Sequence, residues 1–557
     1  MTLGRFWYPR AVCGALALAS ALIAAGSTPA VTAANQTQTR ADPPRLVVLV
    51  VVDQFRADYP QMYGQQWKHG LRRLFDRGAV FRHAAYQYGG SVTCPGHSTI
   101  GTGTLPFVHG MISNNWYDRA TRRTILCSSD PQATAVPFGG GRGVERHGPM
   151  SLMAPTFADE LRRQAKRQPN IVSISLKPRA SIGLGGHGGP GTMIIWEEDN
   201  GTWSTSDRFT KTPWPEVDRF VTDHPIAKSY GQTWTKLLPE PAYLHADDAP
   251  GENTPIPWDR TFPHALESPS GRADNLFVNA WERSPWSDEY LADLAIDLID
   301  KLKLGSQPGT DMLAVSFSAL DGVGHEYGPR SHEVQDLLAR LDVTIGRLLA
   351  AIERAAGTNY VLAFSADHGV ATIPEQVEGR KAGRLTSNAI RQAAETAIAK
   401  VLESGSHVAT LVESHLSLTP GTFDRLRAKP GAVESVKQAI AAVPGVGLVY
   451  SAAELTSPAA TDDPMLRAWR LSYYPGRGGD FVVSPLPNFL ARAAGTTHGT
   501  PYDYDVRVPV LLFGARIRTG QYDQAASPVD IAPTLASFTG VRLSQTNGRV
   551  LSEAIIR

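Results

Sequence analysis

The sequence predicts an α/β fold with a mostly parallel central sheet and helices on both faces. Five short runs of β-branched and apolar residues, each ending in polar residues or glycine, are typical of strands buried on both faces. They span residues 45–53, 170–177, 312–321, 360–369 and 506–514. Apolar residues recur every three or four positions from Val334 to Ile352, which predicts an amphipathic helix covering one face of the sheet.

Composition and charge describe an ordinary globular protein with a sizeable core. The chain has 557 residues, of which 42% are hydrophobic and 19% are charged. Lysine and arginine total 54 against 53 acidic residues, a net charge of +1. This balance gives no indication of a nucleic acid or a membrane surface as the main partner.

The amino terminus predicts export. Arg5 and Arg10 precede a short apolar run rich in small residues, and Val31-Thr32-Ala33 suits cleavage after Ala33. We therefore predict a signal peptide over residues 1–33 and a periplasmic or secreted bacterial protein; an uncleaved anchor is the alternative. No later segment is long and apolar enough to span a bilayer.

The mature chain, residues 34–557, is predicted to form one catalytic domain. Two regions depart from the alternation of strands and helices, at about 195–290 and 375–480, and we interpret both as insertions that cap the sheet. The first could instead be a separate binding module, although long loops in compact enzymes usually serve the site.

Three cysteines leave one possible pair after export. Cys13 is removed with the signal peptide, whereas Cys94 and Cys127 remain in an oxidising compartment where they could form a disulfide.

Aspartates and histidines gather where the predicted strands end, which is where ligands collect in open parallel sheets. Glycines between Asp321 and His325 are expected to let the backbone fold back so that both side chains meet one ion. Taken alone, each of these residues could cap a helix or form a structural hydrogen bond. Together they suffice for two divalent metals, with zinc favoured and manganese or iron as alternatives. The six residues are Asp53, Asp321, His325, Asp367, His368 and His498.

The stretch "GGSVTCPGHSTIGTG", residues 89–103, predicts a hydroxyl at a helix start. Proline suits a first helical turn, so a helix is expected to begin near Pro95, with backbone N–H groups suited to an anion. Ser91, Thr93, Ser98 and Thr99 are all candidates for a nucleophile on composition alone. A simple capping turn is the alternative.

Six motifs in order resemble one family. "VVVDQFRADY", "TCPGHSTIGTGTLPFVHGMISNNWYD", "SLKPRA", "ALDGVGHEYGP", "SADHG" and "THGTPYDYD" are similar to the alkaline phosphatase superfamily. The resemblance is to PafA-like phosphate monoesterases that use threonine, which are relatives of the nucleotide pyrophosphatase/phosphodiesterases. It extends over about residues 45–540.

The resemblance implies a two-zinc site with Thr93 as nucleophile and a covalent phosphothreonine intermediate. One zinc would have Asp53, Thr93, Asp367 and His368 as ligands, and the other would have Asp321, His325 and His498. The first would activate Thr93, and the second would stabilise the leaving oxygen.

The resemblance also implies residues that bind the phosphoryl group. Asn114 would donate to a phosphoryl oxygen, with Asn115 as the adjacent alternative. Lys177 and Arg179 would place two cations on the phosphate, as in monoesterases. Extended geometry is expected to put both on one side, although Pro178 departs from the family pattern. A solvated surface pair is the alternative.

We therefore expect an exported alkaline phosphatase that hydrolyses small-molecule phosphate monoesters with broad leaving-group tolerance, with a monomer favoured. A phosphodiesterase or nucleotide pyrophosphatase on the same scaffold is the nearest alternative. A protein that binds metal or phosphate without catalysis is a remote alternative. A sulfatase is disfavoured because no Cys-x-Pro-x-Arg segment is present. Cys94 is not expected to be a nucleophile, because "TCPGHST" lacks the loop of a cysteine phosphatase.

Overall fold

A computed structural model of the protein describes residues 42–254 and 257–556. The predicted signal peptide and Cys13 lie outside the described residues. The chain from Pro43 onward clusters as one unit. Among the described residues, none of the helices combines the length and the apolar character that crossing a membrane requires.

The strands follow one another along the chain as β1 (Leu46–Val52), β2 (Ala79–Phe81), β3 (Asn115–Asp118), β4 (Arg123–Leu126), β5 (Ala135–Pro137), β6 (Ile171–Ser175), β7 (Thr192–Glu197), β8 (Trp203–Ser206), β9 (Thr233–Trp234), β10 (His264–Ala265), β11 (Asp311–Phe317), β12 (Tyr360–Ser365), β13 (Gly383–Arg384), β14 (Val408–Val412), β15 (His415–Leu418), β16 (Val446–Ser451), β17 (Phe481–Pro485), β18 (Phe489–Leu490), β19 (Val510–Gly514) and β20 (Gly520–Tyr522).

The α-helices are α1 (Tyr59–Tyr63), α2 (Gly70–Arg77), α3 (Thr93–Thr102), α4 (Pro106–His109), α5 (Phe157–Gln164), α6 (Pro178–Gly185), α7 (Pro215–Asp223), α8 (Asn275–Glu282), α9 (Pro285–Lys301), α10 (Ala319–Tyr327), α11 (His332–Ala356), α12 (Ser387–Leu402), α13 (Thr422–Arg427), α14 (Ala432–Ala441), α15 (Ala452–Thr456), α16 (Pro464–Leu471), α17 (Asp503–Val506) and α18 (Ile531–Thr539).

The central sheet has ten strands in the order β20-β2-β19-β12-β1-β11-β6-β7-β8-β5. The middle of the sheet, from β12 to β7, is parallel throughout, and antiparallel pairs flank it on both sides. The predicted α/β fold with a mostly parallel sheet is confirmed. Because carboxyl ends of parallel strands lie at one edge, the residues after β1, β11 and β12 are brought together.

Strand β1 shows why both faces carry helices. All seven of its residues are buried. Val48 and Val50 belong to the apolar cluster that includes Leu338 and Ile345 of α11, whereas Val47 belongs to the cluster on the opposite face. Side chains alternate between the faces of a strand, so each face needs its own apolar cover. The predicted amphipathic helix over residues 334–352 is confirmed within α11.

Two predicted boundaries differ from the structure. The run at 506–514 begins as the end of α17, and only β19 is a strand, antiparallel to β12. Pro509 has no N–H to donate to a sheet, so the strand begins after it. The predicted insertion at about 195–290 begins inside β7 and contains β8, and both strands extend the central sheet instead of covering it. The short polar segment Trp203–Ser206 has no apolar run that predicts a strand.

The region 375–480 contributes most of a second sheet. Four strands in the order β14-β15-β17-β16 form this sheet, which we call the cap sheet. It has a separate apolar core with α12 and α14, which includes Ile398, Leu416, Val436 and Phe481. A loop between β14 and β15 carries Glu413 towards the residues that follow α4.

Helices α3 and α6 pack closely because small residues face each other. A Cβ atom on Gly101 would lie 2.1 Å from the carbonyl oxygen of Gly183. No larger residue fits at this contact without a backbone shift. The packing fixes α6 against the helix that begins at Thr93.

Candidate active site

Asp53, Asp367 and His368 follow the carboxyl ends of two central strands and form one group. Asp53 comes directly after β1, and Asp367 and His368 come after β12. Asp321, His368 and His498 form a second group that shares His368. The ligand atoms within each group lie within 4.8 Å of one another.

His325 joins the second group through Asp321. Its Nε2 atom lies 3.3 Å from Asp321 Oδ1, and His498 Nε2 lies 3.6 Å from the same oxygen. The structure therefore brings together all six residues that the sequence predicts as metal ligands. The predicted role of the glycines between Asp321 and His325 is wrong. Both residues lie on α10, where positions four apart share a face of the helix.

Burial and neighbouring charges act differently on the pKa values of the buried carboxyl groups. Burial and the neighbouring Asp321 and Asp367 raise the pKa of Asp53 well above its usual range. Burial also acts on Asp321, but Lys177 and His325 hold its pKa well below the usual range. Burial lowers the pKa of His368 to about 3, so its imidazole is neutral.

The donor set fits divalent metal ions. Asp53 Oδ1, Asp367 Oδ2 and His368 Nε2 are buried, and within the described residues they have no hydrogen-bond partner. Buried polar atoms without partners are costly, and a cation between carboxylates would offset both the desolvation and the repulsion. Neutral imidazoles with ionised carboxylates are the form in which these side chains bind divalent metals.

Lys177 lies between the two groups. Its Nζ atom is 2.6 Å from Asp53 Oδ2 and 2.6 Å from Asp321 Oδ2. The prediction that Lys177 and Arg179 lie in an extended segment is wrong. Lys177 is the N-cap residue of α6, Pro178 is its first residue, and Arg179 follows in the first turn. Proline is pre-organised for a first helical position, which explains why the strand ends before Lys177.

Thr93 is the first residue of α3, after the extended Val92. The predicted helix start near Pro95 is confirmed. A Cβ atom on Gly96 would lie 2.4 Å from the carbonyl oxygen of Asp367, so only glycine lets this first turn lie against the ligand loop. Thr93 is buried, and the helical turn that it begins lies against Asp367 at Gly96.

Two of the other candidate hydroxyls have partners elsewhere. Ser91 Oγ donates to the carbonyl of Thr500. Thr99 Oγ1 hydrogen-bonds to Tyr88 and to His109 Nε2. Ser98 lies deeper in α3 and is fully buried. Thr93 alone among the four stands at the first position of the helix.

Asn114 is tied to the residue that follows Thr93. Its Oδ1 atom accepts a hydrogen bond of 2.8 Å from Cys94 N, and its carbonyl accepts one from Cys127 N. A disulfide joins Cys94 to Cys127, so the predicted possibility of this pair is confirmed. Asn115, the alternative, begins β3 and pairs with Leu126. Asn114 is therefore the amide fixed beside the start of α3.

Sequence reasoning missed Gln54, which hydrogen-bonds to two of the aspartates, and His97, which lies beside Asp367. Gln54 Nε2 donates to Asp321 Oδ1 at 2.6 Å, and Gln54 N donates to Asp367 Oδ1 at 3.1 Å. His97 Nδ1 lies 3.3 Å from Asp367 Oδ2. Gln54 directly follows Asp53, and His97 lies one helical turn after Thr93, so their positions in the motifs were the available signal.

A cleft of about 680 Å³ lies elsewhere among the described residues and contains none of the candidate site residues. Arg56 and Arg72 on its wall are paired with Asp58 and Asp76. Their charges are balanced within the protein, so the ligand groups and not this cleft define the candidate site.

Comparison with known proteins agrees with this geometry. The family model described as "Type I phosphodiesterase / nucleotide pyrophosphatase" matches residues 47–477. The chain belongs to this family. Its members are hydrolases of phosphate esters, and so is this protein.

Curated relatives cover nearly the whole chain. "Alkaline phosphatase PhoD" of Zymomonas mobilis is 30% identical over 91% of this chain and 88% of its own length. "Alkaline phosphatase PafA" of Elizabethkingia meningoseptica is 28% identical over 92% of this chain and 95% of its own length. A crystal structure of wild-type alkaline phosphatase PafA has a TM-score of 0.84 at 26% identity, covering 92% of this chain and 99% of that one. The resemblance to PafA-like enzymes is confirmed.

Gln54→Asn is predicted to weaken metal binding about tenfold. Asparagine tolerates the positive φ of 68° at this position but is too short to keep the hydrogen bond to Asp321. Mutation of a group that orients a metal ligand typically weakens metal affinity by about 10- to 100-fold. Zinc titration by calorimetry measures the change. Gln521→Asn, on the exposed surface of β20, is the control; equal affinities of the two variants would contradict the role of Gln54.

Proposed function

We propose that the protein is a two-zinc alkaline phosphatase that hydrolyses phosphate monoesters through a covalent phosphothreonine on Thr93. The observation that carries the proposal is the convergence of two helix N-termini on the ligand groups. The first turn of α3, which begins at Thr93, lies against Asp367 at Gly96, and α6 supplies Lys177 against Asp53 and Asp321. Helix N-termini and cations together favour a highly charged anion.

Each residue has a distinct part in the proposed reaction. Thr93 Oγ1 attacks phosphorus in line with the leaving oxygen, and the phosphothreonine is then hydrolysed by water. Asn114 donates from its amide nitrogen to a phosphoryl oxygen, because its Oδ1 is already occupied by Cys94 N. Lys177 and Arg179 balance the charge of the phosphate dianion.

The two ligand groups support the choice of zinc. Asp53, Thr93, Asp367 and His368 would hold one ion, and Asp321, His325 and His498 would hold the other. Bound there, zinc lowers the pKa of a coordinated hydroxyl and stabilises developing negative charge on oxygen.

Arg179 supports a monoester as the substrate. Its guanidinium acts electrostatically on Glu413 and Lys177, and its Nε is buried without a hydrogen-bond partner among the described residues. A guanidinium with a free donor can bind an oxygen of a dianion. A phosphodiester has one charge fewer and gains less from a second cation. Phosphodiester hydrolysis is the second candidate, because the matching family model carries that description.

Export is part of the proposal. The disulfide between Cys94 and Cys127 joins the start of α3 to the end of the β3–β4 hairpin. Such bonds persist mainly in oxidising compartments such as the periplasm or the exterior. The predicted signal peptide over residues 1–33 agrees with that location.

Lys177→Ala and Arg179→Ala are each predicted to lower kcat/KM for a nitrophenyl phosphate monoester roughly a hundredfold. Turnover of the corresponding bis-ester should change by no more than about threefold, because a monoanion needs the second cation less. Both substrates are assayed in zinc-loaded protein, with exposed Lys166→Ala as the control. Parent protein that prefers the diester, or variants that keep full monoester turnover, would contradict the monoester assignment.

Thr93→Ala is predicted to reduce monoester turnover by at least roughly a thousandfold and to abolish the phosphoenzyme. Mass spectrometry of acid-quenched protein detects the added phosphoryl group on the parent. Ser98→Ala is the matched control, because its hydroxyl is in the same helix, is buried and has no hydrogen-bond partner among the described residues. A phosphoenzyme in Thr93→Ala would show that another residue is the nucleophile.

A further inference from the structure

A cavity of about 240 Å³, with an apolar wall and several polar residues, lies between the cap sheet and the candidate active site. Strands β14, β16 and β17 of the cap sheet, helix α12 and strand β18 provide its apolar wall. This wall includes Leu385, Ile390, Leu411, Val446, Val483 and Phe489. Concave apolar surfaces with a few polar groups are typical of small-molecule sites.

Two polar residues of the cavity also contact the candidate active site. The His498 ring stacks on His368 with a centroid distance of 3.5 Å, and its Nε2 lies 3.6 Å from Asp321. Glu413 accepts a hydrogen bond from the Ser113 hydroxyl, next to Asn114. The cavity therefore adjoins the phosphate site between His498 and Glu413.

In-line attack places the leaving group towards this cavity. The nucleophile and the leaving oxygen lie on opposite sides of phosphorus. The first turn of α3, which carries Thr93, lies against Asp367. His498 approaches Asp321, which belongs to the other ligand group. The leaving oxygen lies on the side of phosphorus opposite Thr93. The organic group attached to it therefore lies on the side of His498.

We propose that this cavity binds the leaving group of the substrate and selects phosphate monoesters of single, uncharged aromatic rings; this inference rests on the proposed function. An apolar cavity of roughly 150 Å³ is known to accommodate benzene, so about 240 Å³ has room for one substituted ring. Glu413 lies on the cavity wall, where burial of its carboxyl group raises its pKa to about 7. Above that pH its carboxylate is ionised and disfavours anionic leaving groups.

The test compares two inhibitors that differ only in this group. Phenylphosphonate and methylphosphonate are titrated by calorimetry into the zinc-loaded full chain. We expect phenylphosphonate to bind about tenfold more tightly, because the ring is buried against apolar side chains. Ala491→Trp should abolish this preference and leave methylphosphonate affinity unchanged, because exposed Ala491 lines the cavity and tryptophan fills it.

Ala493→Trp is the matched control, since Ala493 is exposed on the same loop and does not line the cavity. It should keep the tenfold preference. Equal binding of the two phosphonates by the parent, or an unchanged preference in Ala491→Trp, overturns the subsite even if monoesters are hydrolysed. A preference lost only in Ala491→Trp supports the subsite even if turnover is absent and the proposed function fails. Binding of neither phosphonate overturns both.

Discussion

Mutual repulsion among Asp53, Asp321 and Asp367 is the constraint on which the rest of the site depends. All three are buried at the carboxyl edge of the sheet, where charge is costly unless it is paired. Lys177 supplies one positive charge between Asp53 and Asp321. One lysine against three carboxylates leaves a deficit of positive charge, and the surrounding neutral imidazoles are the ligands with which cations would balance it.

The fold maintains this arrangement by close backbone contacts and not by long side chains. Parallel strands β1, β11 and β12 bring the aspartates to one edge. Gly96 brings the first turn of α3 against Asp367, and Gly101 brings α3 against α6. The Cys94–Cys127 disulfide then joins the start of α3 to the hairpin that follows Asn114. Lys177 is thus held between Asp53 and Asp321, and Asn114 is held beside the start of the helix that begins at Thr93.

Local patterns in the sequence predicted the features that depend on local structure, namely the buried strands, the residues at their ends and the start of helix α3. The buried runs before Asp53 and Asp367 predict strands, and strand ends of a parallel sheet meet, so the metal ligands could be predicted together. The helix start at Thr93 follows from proline and small residues. Extended geometry at Lys177 was a wrong prediction because Pro178 begins a helix. The polar strand β8 has no apolar run by which to recognise it.

Other parts of the site depend on contacts between distant segments. Gln54 reaches Asp321 across 267 positions of the chain, and Glu413 reaches Ser113 across 300. No spacing rule relates such residues, because their proximity is a product of the sheet order and of the cap sheet. The cavity beside His498 has the same origin, since its wall comes from the region that has no strand periodicity in sequence.

The central claim is that the buried carboxylates and histidines hold two metal ions. Crystals of the zinc-loaded protein, measured on both sides of the zinc absorption edge, test it directly. We expect two anomalous peaks per chain, one among Asp53, Asp367 and His368 and one among Asp321, His325 and His498. A fully loaded crystal with no peak at either group, or with zinc bound only elsewhere, would contradict it.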